Sequence, residues 1–150
     1  MFIIFGDSSA NLDLAQIKME EGSVATPFEP RPIAQELALC QRYYFKTYNQ
    51  SVAPGSGNQP AGYIRHRMAV SNSSLSPTIS FPVTMRTNPT ITVYSPENGT
   101  SGALYSITDS NDKAVDYTEH GSAGISRIVM TSARGSGDAL ILHFTADAEL

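Results

Sequence analysis

Apolar and polar residues alternate with a period of two along most of this chain. That is the signature of half-buried strands. In "GYIRHRMAV" (62–70), Ile64, His66, Met68 and Val70 fall on one face, and Tyr63, Arg65 and Arg67 on the other. In "TISFPVTM" (78–85), Ile79, Phe81 and Val83 align, and Pro82 points that strand toward a sheet edge or a non-bonded position. "TITVYS", "ALYSIT", "KAVDY", "GISRIVMTS" and "DALILHFTA" continue the pattern, and "QRYYFKTYN" (41–49) reads as a strand before them. Gly, Ser, Asn and Pro separate these runs: "QSVAPGSGNQPAG" (50–62) reads as a long mobile loop, the Ser/Asn stretch after Val70 as a loop and "PENGTSG" (96–102) as a turn. About eight strands at regular spacing predict an all-β fold, an antiparallel β-sandwich of jelly-roll or lectin-like type.

The period changes once. Ile33, Leu37, Cys40 and Tyr44 recur at helical spacing. Pro32 suits a first helical position, and Gln35 and Glu36 lie in the first turn. This predicts one short N-terminal helix, marginal alone, that packs its apolar face on the sandwich or on a neighbouring subunit. Three prolines within residues 27–32 make an extended connector ahead of it, docked through Val24 and Phe28. Residues 2–5 and 12–20 read as two further strands. The organisation expected is therefore residues 1–31 as a β segment with a proline-rich connector, and 32–150 as the sandwich with its leading helix.

Composition narrows the function. The chain has 150 residues and a net charge of −4, and its lysines and arginines do not cluster. That disfavours nucleic acid, whose binding depends on phosphate neutralisation. No apolar run approaches a membrane span, so no membrane insertion is expected. "MFIIF" is broken at once by Gly6-Asp7 and is too short for a signal-peptide core. Cys40, the lone cysteine, reads as a small buried hydrophobe.

Catalytic motifs are absent: no G-x-S-x-G, no phosphate-binding loop and no H-E-x-x-H. His66, His120 and His143 lie on separate segments. His143 alternates with Leu142 and Phe144, which places it on the exposed face or at a subunit interface. Asp109, Asp112, Asp116 and Glu119 are the acids a glycan hydrolase would draw on, but loop acids are common. "DSNDK" (109–113) offers oxygen ligands of the kind calcium takes, without the glycine and distal acid of an EF-hand, and reads as a turn. No catalytic residue, metal or cofactor is assigned. Sugar recognition combines aromatic faces with polar side chains that match hydroxyls. The candidate residues are Tyr63, Arg65, Arg67, Tyr94, Asn98, Tyr105, Asp109, Asn111, Tyr117 and His120.

Three stretches resemble one family. "EEGSVATPFEPRPIAQELALCQRYYF" is similar to a segment near the C-terminus of many bacteriophage tail fibre and tailspike proteins. "ISFPVTMRTNPTITVYSPENGTSG" resembles the next stretch of those proteins, and the closing "LHFTADAEL" resembles their chain terminus. The resemblance covers roughly residues 12–150. Its most specific part is the joint presence of Pro-Phe-Glu, Glu-Leu-Ala-Leu-Cys and Arg-Tyr-Tyr. It implies a virion module made in the host cytoplasm, trimeric and β-rich, that binds bacterial surface polysaccharide or another glycan. The alternative is an assembly cap for the longer fibre or tailspike chain. A further likeness to H-type lectin sandwiches is fold-level analogy. Met1 precedes the first motif by only some twenty residues, so a fragment, a small fibre tip or an internally initiated product is expected. The trunk that carries depolymerase activity in such proteins has no counterpart here, and no enzymatic role or binding position is carried over.

Overall fold

A computed structural model describes residues 21–149 apart from Ala25 and Phe28. The strands expected at 2–5 and 12–20, and the docking of Phe28, lie outside the described residues. Among those described are one α-helix, α1 (Ile33–Gln41), and nine strands: β1 (Tyr44–Lys46), β2 (Ile64–Arg67), β3 (Asn72–Leu75), β4 (Ile79–Ser80), β5 (Thr90–Tyr94), β6 (Ala103–Ser106), β7 (Asn111–Gly121), β8 (Gly124–Arg134) and β9 (Ala139–Asp147). All pairings are antiparallel. The chain is all-β with a single short helix, as its periodicity predicts.

The last strand organises the rest. The C-terminal half of β9 lies between β1 and β5, which both pair with Asp147 to Thr145. Its N-terminal half lies between β2 and β6, which both pair with Ile141 and Leu140. β6 continues through β7 to β8, and β3 and β4 pair with the far edge of β8. The array folds over, because its two ends share one core. Leu140, Leu142, Phe144 and Ala146 of β9 cluster with Ile125, Ile128 and Met130 of β8 and Leu75 of β3. Phe81, just after β4, meets Phe45 of β1 and Phe144 of β9 at ring-centroid distances of 6.0 and 6.2 Å. Tilted ring pairs of this kind add to what area burial contributes.

Several local expectations change. β1 is three residues long, because Thr47 turns its side chain back onto β9: its hydroxyl accepts from Phe144 N–H at 3.0 Å. The strand expected over 78–85 shrinks to Ile79–Ser80, since Pro82 has no N–H to continue the ladder. Asn72–Leu75, expected as loop, is strand β3: the long edge of β8 offers a partner that polar composition does not announce. Val70 is exposed rather than on the core face. Pro32 lies one position outside the helix, as its N-cap, and its carbonyl accepts from Gln35 and Glu36 N–H.

The helix is the largest departure. No residue of α1 is buried; Ile33 is 85% exposed, and Leu37, Leu39, Tyr43 and Val24 are exposed as well. Cys40 is exposed, against its expected burial. The apolar face exists as its spacing predicts, but the described residues leave it open. The C-terminal end of the helix alone is tied down: Arg86 N–H donates to Arg42 C=O, Ala148 N–H donates to Tyr43 C=O, and the Arg86 guanidinium stands 5.6 Å over the Tyr43 ring.

Candidate functional site

The site begins with the two faces of β9. Eight of its nine residues are buried, so both faces are covered. One face is the core. The other carries Ile141 and His143, covered by the Gly-rich loop between β1 and β2. That loop is docked on the sheet face, and its glycines make the docking possible. Gly99 has φ +73°, and a Cβ there would stand 2.0 Å from the Gly55 carbonyl oxygen; one at Gly57 would stand 2.7 Å from that of Glu97. Two Gly-containing segments thus meet backbone to backbone, a contact that side chains would prevent. Asn58 N–H donates to Glu97 C=O at 2.8 Å and Gln59 N–H to Pro96 C=O at 3.0 Å, which locks the loop to the β5–β6 turn.

His143 anchors the underside of this loop. It is fully buried, the reverse of the exposed position that alternation predicts. Its ring stacks on Tyr48 with centroids 3.9 Å apart. Nε2 faces the Gln59 carbonyl at 2.9 Å, which only accepts, so Nε2 carries the proton. Nδ1 then accepts from the Thr47 hydroxyl at 2.9 Å. Burial holds its pKa below the ordinary histidine value, partly opposed by the Gln59 hydrogen bond. Burial likewise pushes the Tyr48 phenol up, and Gly55 N–H donates to its oxygen at 3.2 Å. His143 is therefore a structural post, with both ring nitrogens engaged within the chain.

On the same sheet face, strand register builds a row. Arg65 of β2 lies opposite Ile141 of β9, Ile141 opposite Tyr105 of β6, and Tyr105 opposite Asp112 of β7. Directly opposed residues share a face, so four side chains from four strands stand side by side. At ~4.8 Å per strand, Arg65 and Asp112 are ~14 Å apart along the row. Arg67 flanks it opposite Ala139. Above Ile141 a cleft of about 270 Å³ opens between Tyr63, Asn58, Gln59 and Pro60 on one side and Pro96 and Glu97 on the other. Asp112 is fixed at its end of the row: one carboxylate oxygen accepts from the Ser95 hydroxyl at 2.6 Å and the Asn98 amide at 3.1 Å.

Of the candidates read from the sequence, Tyr63, Arg65, Arg67, Tyr105 and Asn98 come together here. Tyr94 shares the face through its pairing with His143 but lies beneath the loop, its ring edge-on to Tyr48. The others stand elsewhere. Asp109 accepts from Lys113 at 2.8 Å and from Arg134 at 2.5 Å, and Lys113 foremost holds its carboxyl below the usual range. Asn111 starts β7, bonding the N–H of Asp112. Tyr117 and His120 are far along β7: Tyr117 lies under the Arg127 guanidinium, and His120 Nδ1 meets the Thr118 hydroxyl. Their grouping with the face is corrected, because β7 is 11 residues long and carries them away from its start, where Asp112 bonds the β5–β6 turn.

Sequence reading misses Ile141, Gln59, Pro96, Glu97 and the place of Asp112 in the row. Asp112 is visible there only as a loop acid, and nothing in the sequence pairs it with Tyr105. Among the described residues no group of three or more His, Cys, Asp and Glu residues could hold a metal ion. No helix among them is long and apolar enough to cross a membrane. No family model, curated protein or solved structure matches the chain.

Proposed function

We propose that the chain is a C-terminal module of a bacteriophage tail fibre or tailspike, carried on the virion, that binds host cell-surface glycan as a trimer. The observation that carries the binding role is the row Arg65–Ile141–Tyr105–Asp112 beside the Tyr63 cleft. It combines what a sugar requires: apolar floor and aromatic walls for the C–H faces of the ring, with charged and polar groups at both ends for hydroxyls. The fibre assignment is supported by the resemblance of residues 12–150 to the C-terminal segments of such fibres. No catalytic step is assigned; Asp109 and Glu119, two of the four acids a hydrolase would recruit, are engaged by cations.

A panel of host-derived polysaccharides and oligosaccharides, titrated calorimetrically, tests the reading. Binding by the native chain, weakened about tenfold or more by Tyr63→Ala, is the expected result. Absence of binding across the panel would falsify it.

The second reading is an assembly cap that binds no glycan. The open apolar side chains of α1 favour it, since solvent-facing Ile33, Leu37 and Leu39 suit burial against other copies of the chain. The two readings combine readily, because a symmetric oligomer repeats each site around its axis. A monomer by light scattering at micromolar concentration would count against the cap and against the trimer.

A further inference from the structure

We infer that the β2–β9–β6–β7 face takes an acidic glycan in one orientation, with the ligand's carboxylate, phosphate or sulfate on Arg65 and Arg67 and its hydroxyls toward Tyr105 and Asp112. This rests on the glycan-binding reading and specifies its ligand.

Several cations are already engaged. Arg31 faces Glu36, Arg127 faces Glu119, and Arg134 and Lys113 share Asp109. Beyond the β2–β9 backbone ladder, the Arg65 and Arg67 guanidiniums form no ion pair and no hydrogen bond among the described residues. They are exposed, two positions apart on one strand, and therefore side by side on one face. The closest acid in sequence to their partners on β9, Asp138, is buried and accepts from the Ser106 hydroxyl at 2.8 Å instead. Two guanidiniums with all their donors available make a fork that suits an oxyanion.

The opposite end of the row has the opposite polarity. Asp112, oriented by Ser95 and Asn98, and Glu97, which lines the cleft, both present carboxyl groups there. Carboxylates accept from hydroxyl groups and repel a second acid. A neutral sugar gains nothing from this gradient. A sugar with its acid at one end fits one way round and is rejected in the other, a specificity that needs the repulsive end as well as the attractive one. The span of ~14 Å between Arg65 and Asp112 accommodates more than one sugar ring. The chain's net charge of −4 gives no general attraction for polyanions, so the preference is local to this face.

The test uses the full chain and a panel of bacterial capsular polysaccharides containing uronic acids. Each is offered in native form and after chemical reduction of its carboxylates to primary alcohols. At least one native glycan is expected to bind and to lose roughly ten- to hundredfold in affinity on reduction, the range expected for a charge-assisted contact. Arg65→Ala and Arg67→Ala should weaken the native form by a similar factor and barely affect the reduced one. Tyr105→Phe, which removes only a hydroxyl, should weaken both forms alike. Near-UV circular dichroism verifies that each variant keeps the native fold. Equal affinity for native and reduced forms, or a preference for neutral glycans, would overturn this inference and leave glycan binding intact. Failure of every glycan to bind would overturn both.

Discussion

At the scale of single residues, buried contacts set two measurable dependences. His143 is neutral between the Gln59 carbonyl and the Thr47 hydroxyl, and burial depresses its pKa. The unfolded chain then binds a proton more readily than the folded one once pH falls below the ordinary histidine value of ~6.5. Stability contributed this way is complete above that value and is lost as pH falls toward the lower folded one. Thermal melts from pH 7.5 to 5 should show a falling Tm in the native chain and a flatter profile in His143→Gln; parallel profiles would refute the assignment. Asp109 acts lower: Lys113 and Arg134 hold its pKa below 3.8, so its contribution is present above that value and disappears as pH falls beneath it. Glycine contacts give the second dependence. Gly99 and Gly102 lie in one turn with φ +73° and +70°, but a Cβ at Gly102 meets nothing within 4 Å, whereas one at Gly99 strikes the Gly55 carbonyl. Gly102→Ala should cost about 1–2 kcal/mol, the left-handed penalty alone. Gly99→Ala should cost clearly more, because the docked loop must move as well; equal costs in urea unfolding would show that the loop contact contributes nothing.

At the scale of elements, legibility in the sequence is bounded by what alternation can encode. Tyr63, Arg65 and Arg67 are legible as one face because a strand has period two and β2 obeys it. The helix is legible from its spacing, within a residue at its start. Alternation fails for β9, since it presumes one solvated face, and a loop from residues 50–62 covers the second. His143 is misplaced for that reason alone. β3 is hidden because Asn72, Ser73 and Ser74 look like loop residues, and only the free edge of β8 makes them a strand. The Arg65–Asp112 row is invisible because register across four strands is a tertiary property. The open face of α1 marks another limit, since periodicity shows that a face wants cover without saying what covers it. In the proposed trimer that cover is other copies of the chain. Leu37→Glu should then shift the chain toward monomer in light scattering while leaving the thermal stability of the β fold within about 0.5 kcal/mol, as for surface substitutions. A large loss of stability without a change in mass would assign Leu37 to packing within one chain.

At the scale of the whole molecule, the helix and the proposed glycan face are separate surfaces, and this separation makes affinity and assembly independently testable. α1 touches the β fold near β1, the C-terminal end of β9 and Arg86, whereas the row crosses the N-terminal half of β9 and runs out to β7. A surface polysaccharide repeats its unit many times, so a trimer can engage several units at once. The second engagement is then intramolecular, and avidity can exceed the single-site affinity by roughly 10²–10⁴ with no new contact. Leu37→Glu should therefore leave the calorimetric affinity for a short acidic oligosaccharide unchanged. The same variant should lose roughly two orders of magnitude or more in apparent affinity for immobilised capsular polysaccharide. Arg65→Ala should do the reverse in part: it should weaken the short oligosaccharide and keep the oligomer intact. If Leu37→Glu weakens the short ligand as strongly as the surface, the two surfaces are coupled, and glycan binding depends on the subunit interface itself.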